Sequence, residues 1–261
     1  MIRSLWTAAT GMEAQQINLD VVANNLANVN TAGFKKARAE FQDLLYQAGK
    51  KAGSETSAGN QVPVGVEVGM GSRISATKKM FTQGDFKQTD SAYDWVIEGD
   101  GFFQLTDDNG RTVYTKAGSF MTNKDGVLVN PEGLKLSPQV TIPQDAIKFQ
   151  ILPDGTWEAR DKVEAKLSSG RVELVRFINP AGLRSIGRNL YDITDSSGSP
   201  IKGNPGESSF GTLTQNAIEM SNVNVVDEMV QMIAGQRAYE INTKAIQTAD
   251  QILQMVSNLK R

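Results

Sequence analysis

Two pairs of neighbouring acids, Asp107 with Asp108 and Asp227 with Glu228, are the residues whose types and spacing could do acid–base chemistry in this chain. Adjacent carboxylates can split their proton affinities, so that one donates while the other accepts. Both pairs, however, sit where acids have a structural reason to be. Asp107-Asp108 runs into Asn109-Gly110, a turn signal, and Asp227-Glu228 follows Asn224 into the first turn of a helix, where negative charge is favourable. The chain has no histidine and no cysteine, which excludes disulfides, thiolate catalysis and histidine-based metal sites. It carries no nucleophile-elbow motif and no calcium-loop spacing. Gly69-Met70-Gly71 is not a dinucleotide fingerprint, because position 74 is Ile74 and no phosphate-binding lysine follows. Trp95, Phe102, Phe103 and Trp157 could line a sugar-binding face, but packing inside a β domain is the expected role. No enzyme activity, cofactor or metal is expected.

Charge narrows the partners. A net charge of −2 and a pI near 5.4 argue against nucleic-acid binding through a broad basic surface. Lys35, Lys36 and Arg38 form a small basic patch, read here as a solvated helix end or loop. No window approaches the 18 apolar residues of a membrane span, so no membrane insertion is expected. Thr7, Thr10, Glu13, Gln15 and Gln16 interrupt any apolar run near the start, so no cleavable signal peptide is expected. At 261 residues the chain has room for one large domain or two to three small ones.

The elements that would position these residues are dominated by the stretch from Asn224 to Leu259, which has no proline and one glycine, Gly235. At about 1.5 Å per residue it makes a rod near 50 Å long. A seam of Ala238, Ile241, Ala245, Thr248, Ile252, Met255 and Leu259 runs along it, beside a second stripe of Tyr239, Ile246, Ala249, Leu253 and Val256. Such a face is wider than one partner helix covers. Near the other end, Ile2, Leu5, Ala9, Met12, Gln16, Leu19, Ala23 and Leu26 follow heptad spacing, with Gln16 expected to fix register. That helix is expected to end in Asn28–Gly33, where Gly33 can take positive φ. Ala37–Gln47 reads as a short helix or extended arm, Gly49–Asn60 as a flexible loop, and Val62–Thr77 as strand-like. Between 81 and 204, short apolar runs alternate with turns such as Asn123-Lys124-Asp125-Gly126 and Asn130-Pro131-Glu132-Gly133, the pattern of an antiparallel β domain. The expected fold class is therefore α+β. Long N- and C-terminal helices form an antiparallel coiled-coil-like pair, with a central antiparallel all-β domain inserted between them. The expected divisions are helix 1–33, a connecting segment 34–80, the β domain 81–204, a return connection 205–223 and helix 224–261.

Leu5-Trp6-Thr7-Ala8-Ala9-Thr10-Gly11-Met12 and the block Ala23-Asn24-Asn25-Leu26-Ala27-Asn28-Val29-Asn30-Thr31-Ala32-Gly33-Phe34-Lys35 closely resemble the N-terminal signature of bacterial flagellar rod and hook proteins. Gly99-Asp100-Gly101-Phe102-Phe103, Tyr114–Phe120, Gly211–Val225 and Met232–Glu240 are similar to further motifs of that family, so the resemblance covers nearly the whole chain. It implies a structural subunit that polymerises into a helical rod, a drive shaft carrying torque from motor to hook. The segment after Asp43-Leu44-Leu45-Tyr46, about 46–63 and marked by Tyr46, Gln47, Val62 and Pro63, is similar to the extension of distal-rod members, which lies between subunits. Proximal-rod and hook members are the sibling alternatives, and an enzyme acting on cell-wall glycans is the alternative of another class. Subunit packing is expected to fall on Leu5, Met12, Leu19 and Leu26 of the first helix. On the last it is expected at Tyr239, Ile241, Ile246, Ile252, Leu253 and Val256. The implied partners are copies of the chain itself, proximal rod proteins, the hook protein, the surrounding ring proteins and the type III export apparatus. The implied location is the basal body in the periplasmic space. The family more often has a larger residue where Gly235 stands, which marks an expected soft spot.

Overall fold

The computed structural model describes residues 2–50, 53, 63–107, 110–162, 165–207 and 209–259. The chain forms two compact units. One comprises Met1–Ala27, Ala37–Lys79 and Asn224–Arg261, the other Asn28–Lys36 and Met80–Val223.

The first unit is built on helices α1 (Ile2–Ala27) and α2 (Val225–Leu259). They run antiparallel, since Met12 meets Thr243, Leu19 meets Gly235 and Asn25 meets Glu228. Asn224 caps α2 as expected, its Oδ1 accepting the Val226 N–H at 3.0 Å. The residues between the helices include strands β1 (Ala37–Asp43), β2 (Tyr46–Lys50), β3 (Val66–Gly69) and β4 (Ser72–Lys79). Strand β1 pairs antiparallel with β4, and β2 with β3. Leu44 N–H to Gly71 O (2.9 Å) and Met70 N–H to Leu45 O (3.2 Å) join the two pairs into one long ribbon. Ala37–Gln47 is thus extended rather than helical.

The heptad seam expected on α1 is rotated. Leu5, Met12, Leu19 and Leu26 are half-buried, but Ala9, Gln16 and Ala23 are exposed, while Ala8, Ala14, Val22 and Asn25 are buried. The helix packs on α2 and also on β1 and β4, so its covered surface is broader than one seam and centred elsewhere. Exposed Gln16 therefore does not fix register. Gly71, at φ +115°, lets the ribbon approach closely: a Cβ there would lie 2.1 Å from Thr10 Oγ1.

The second unit is all-β. Its strands are β5 (Phe86–Gln88), β6 (Trp95–Glu98), β7 (Phe103–Thr106), β8 (Thr112–Thr115), β9 (Met121–Thr122), β10 (Leu128–Val129) and β11 (Lys135–Ser137). They continue as β12 (Lys148–Ile151), β13 (Thr156–Arg160), β14 (Lys166–Arg171), β15 (Leu174–Arg176), β16 (Arg184–Gly187), β17 (Leu190–Asp192), β18 (Ile201–Gly203), β19 (Thr212–Gln215) and β20 (Ala217–Glu219). The largest sheet has the order β16-β17-β8-β7-β11-β10-β9, all antiparallel. The turns form where expected. Asn123 Oδ1 accepts from Asp125 and Val127 N–H, Asn130 Oδ1 accepts from Glu132 and Leu134 N–H, and Gly126 and Gly133 take positive φ. The alternation from Arg171 to Phe177 is not one strand. Val172 turns to donate to Gly155 O at 2.8 Å, while Leu174–Arg176 pair separately with β18. One core gathers Trp95, Ile97, Phe103, Leu105, Leu128 and Trp157 with their neighbours, and a second joins Phe102, Tyr114, Val175, Phe177, Leu183 and Tyr191.

Candidate functional site

The residues expected to carry chemistry have structural places. Trp95, Phe102, Phe103 and Trp157 are all buried, Trp95 and Trp157 each stack on Phe149, and Phe102 belongs to a different core from the other three, so the four do not form one open face for a sugar. Asp107 flanks the β7–β8 turn, its N–H donating to Arg111 O at 2.9 Å, and Asp108 lies outside the described residues. Asp227 is exposed in the first turn of α2. Among the described residues no group of three or more acids forms a metal-sized cluster, and no helix is long and apolar enough to cross a membrane.

Glu228 is not simply a helix-start acid. It is 2% exposed and receives Asn25 Nδ2 at 3.1 Å. The same amide of Asn25 donates to Ala37 O at 2.9 Å, and Asn25 Oδ1 accepts the Ala37 N–H at 2.9 Å. One buried asparagine thus imitates a strand edge toward β1 and fastens α2 to α1. Leaving such buried polar groups unpaired would cost about 1–3 kcal/mol each, so the node specifies how the three elements meet. The basic patch is also revised. Lys35 is fully buried, and its Nζ donates to Glu219 Oε1 at 2.5 Å and to Thr82 O at 2.7 Å. Glu219 Oε1 also accepts the Gly84 N–H at 2.9 Å. Here an ion pair pins the segment Asn28–Lys36 to β20 within the β unit.

Runs of exposed apolar residues lie on α2 and on the ribbon. The α1-facing side of α2 carries Glu228, Gly235, Asn242, Ile246, Ala249 and Leu253, all buried or half-buried. Of the ten packing residues expected from the sequence, Ile246 and Leu253 therefore belong to the intramolecular face, as do half-buried Leu5, Met12, Leu19 and Leu26. Ile241 (66% exposed), Ile252, Val256 and Tyr239 remain outside it. At about 100° per residue, Val226, Val230, Ile233, Ile241 and Met255 fall within an arc of roughly 80°, nearly opposite the α1-facing side. All five are at least half exposed. Ile241 is among the expected packing residues, whereas Val226, Val230 and Ile233 are not, although they share its exposed side toward the start of α2.

On the ribbon, Tyr46 and Gln47 lie in β2, opposite Gly69 and Val68, and Pro63 is exposed just ahead of β3. Val62 lies outside the described residues. Leu45, Tyr46, Val64, Val66 and Val68 are all exposed, so the ribbon shows apolar side chains on both faces. Beside them Asp43 accepts the Tyr46 hydroxyl and raises its phenol above the ordinary range. A two-stranded ribbon is marginal in water without a covering partner.

Comparison with known proteins agrees with this architecture. Residues 5–35 match the family described as flagella basal body rod protein, residues 96–159 the flagellar hook protein FlgE/F/G D1 domain, and residues 214–259 the flagellar basal body rod FlgEFG protein C-terminal region. The chain is 47% identical to the flagellar basal-body rod protein FlgG of Borreliella burgdorferi over 264 residues, covering 100% of both chains. It is 38% identical to FlgG of Bacillus subtilis over 268 residues, again covering 100% of both. It is 44% identical to the hook protein FlgE of Helicobacter mustelae over 134 residues, 51% of this chain and 30% of that one. These proteins are structural rather than enzymatic, which removes the glycan-cleaving alternative. The rod relatives span this chain from end to end while the hook relative shares half of it, and the chain belongs to the flagellar basal-body rod protein family.

Proposed function

We propose that this rod protein polymerises into the distal rod and transmits torque from motor to hook. The observation that carries the reading is the apolar stripe Val226–Val230–Ile233–Ile241–Met255, which α1 leaves bare on the far side of α2. An isolated helix with a bare apolar side gains little stability from that side, whereas packing it removes apolar area from water at about 25 cal/mol per Å². A polymer in which each copy covers its neighbour's stripe meets that need with open-ended, head-to-tail contacts. The exposed ribbon, with Tyr46, Gln47 and Pro63, supplies a second contact between copies. At the ends of such a rod the partners are proximal rod proteins and the hook protein, and around it the ring proteins. The location is the periplasmic part of the basal body, reached through the type III export apparatus.

Ile241→Asp tests this reading, because it places a charge on the stripe without touching the α1-facing side. The expected result is a monomer with unchanged helical circular dichroism that forms no rods and supports no motility. Rods of normal appearance in basal bodies from the variant strain would overturn the role of the stripe.

A further inference from the structure

Within the β unit, Phe81, Phe102, Phe177 and Pro180 surround a cavity of about 320 Å³. That is within the range of small-ligand sites, which hold an apolar body and a few placed polar groups. The aromatic wall is rigid, with Phe102 edge-on to both Phe81 and Phe177. Two cations line the same space, Lys116 and Arg176. Lys116 is 4% exposed, and its Nζ donates to Gly99 O at 3.0 Å and stands 5.9 Å from the Phe102 ring centre. An ammonium has three donors, and among the described residues Gly99 O is the one acceptor within bonding distance of this one. Arg176 has no ion pair among the described residues. Asp100, exposed, also borders the cavity, which leaves one net positive charge.

The geometry points to an anion site in which Lys116 and Arg176 receive a single carboxylate and the walls of Phe102 and Phe177 receive an aromatic or branched apolar body. A buried ammonium with spare donors is costly by itself, and a bound anion removes that cost. Burial, above all, holds the Lys116 amine below the usual lysine range. Nearby Lys35 lowers it further, while Glu219 and Asp100 pull it back up. Bound anion therefore raises the Lys116 titration midpoint.

The test uses the full-length monomer with labelled lysine methylenes, titrated with 3-phenylpropionate and, separately, with 3-phenylpropanol. The expected result is a saturable shift of the Lys116 signal and an upward move of its titration with the acid, and much weaker binding of the alcohol. Arg176→Gln weakens binding about tenfold, the loss of one charge-assisted hydrogen bond, and Asp100→Asn strengthens it. Both variants are checked for an unchanged β signature. Absence of a saturable shift into the millimolar range, or equal binding of acid and alcohol, overturns the proposal. The carboxylate can arrive on a free molecule or on a side chain of a neighbouring copy. In the second case saturating 3-phenylpropionate blocks self-association, and in the first it leaves self-association unchanged. Because binding is read on the monomer, it succeeds or fails independently of whether Ile241→Asp abolishes rods.

Discussion

Lys35 and Glu219 are separated by 184 residues and meet with side chains almost wholly hidden from water. Burying two charges is costly, and the pair holds only because each finds further partners: Thr82 O for the lysine, the Gly84 N–H for the glutamate. Removing one partner leaves the other charged and stranded. Lys35→Met is expected to destabilise the β unit by about 3–5 kcal/mol. Lys35→Met combined with Glu219→Leu recovers most of that, as thermal melts of the two variants will show. Half-buried Asp192 makes a pH-dependent contribution. Its bonds to Arg184 and then Arg111 hold the carboxyl below the ordinary range. Its contribution to stability is therefore complete above the unfolded value of about 3.9 and is lost as pH falls through the lower folded value. Asp192→Asn should lose stability relative to the parent at pH 6 to 7, and the gap should close on acidification below about pH 4, measured by denaturant titration. Neither pair was legible in the sequence. Lys35 sits in a run of cations that reads as solvated, and nothing local marks a partner so far along the chain. Asn25 is similar: the motif around it was visible, but its bonds to Ala37 and Glu228 come from the tertiary fold.

Helix α2 shows what periodicity does and does not tell. Its length, its cap at Asn224 and its two apolar stripes were legible, because capping and spacing are local. Which stripe faces α1 was not, since both have the same period. The residues 37–47 were ambiguous for the same reason: a short run with few apolar anchors fits either period. Gly235 reads as a soft spot, yet α2 continues unbroken through it. It is buried, and a Cβ there would come within 3.0 Å of Leu19 Cδ2. Gly235 on α2 and Gly11 on α1 each leave room for a side chain of the other helix, Leu19 and Asn242. Alanine would gain up to about 1 kcal/mol of helix propensity and give back part of it by pushing Leu19, so Gly235→Ala should stay within about 1 kcal/mol of the parent. Gly235→Leu overfills the gap and should cost about 1–3 kcal/mol, read from the melting of the helical signal.

At the scale of the whole molecule, the β unit encloses its own cores, while α2 and the ribbon leave much apolar surface bare. Amide exchange in the monomer should follow that division. Core strands such as Phe103–Thr106 and Thr112–Thr115 should exchange far more slowly than Ile241–Val256 or the ribbon, with the difference shrinking in assembled rods. Equal protection in dilute monomer would contradict the division. The α+β class and the β domain were legible because turn residues and strand alternation repeat so often. That the first unit is assembled from three separated stretches of chain was not. Such an assembly has a consequence for timing. Asn25 and Glu228 are 203 residues apart, and closing so long a loop is entropically expensive. The folded β unit already holds Gly33 against Glu219, the Gly33 N–H donating to Glu219 O at 2.8 Å. Once that contact exists, the remaining loop is about 17 residues, and the closure cost falls by about 2 kcal/mol. Closing the β unit first thus lowers the cost of pairing the helices, and that pairing waits until α2 has emerged. A chain released before α2 is complete can have a finished β unit and still lack the apolar stripe on which the proposed assembly rests.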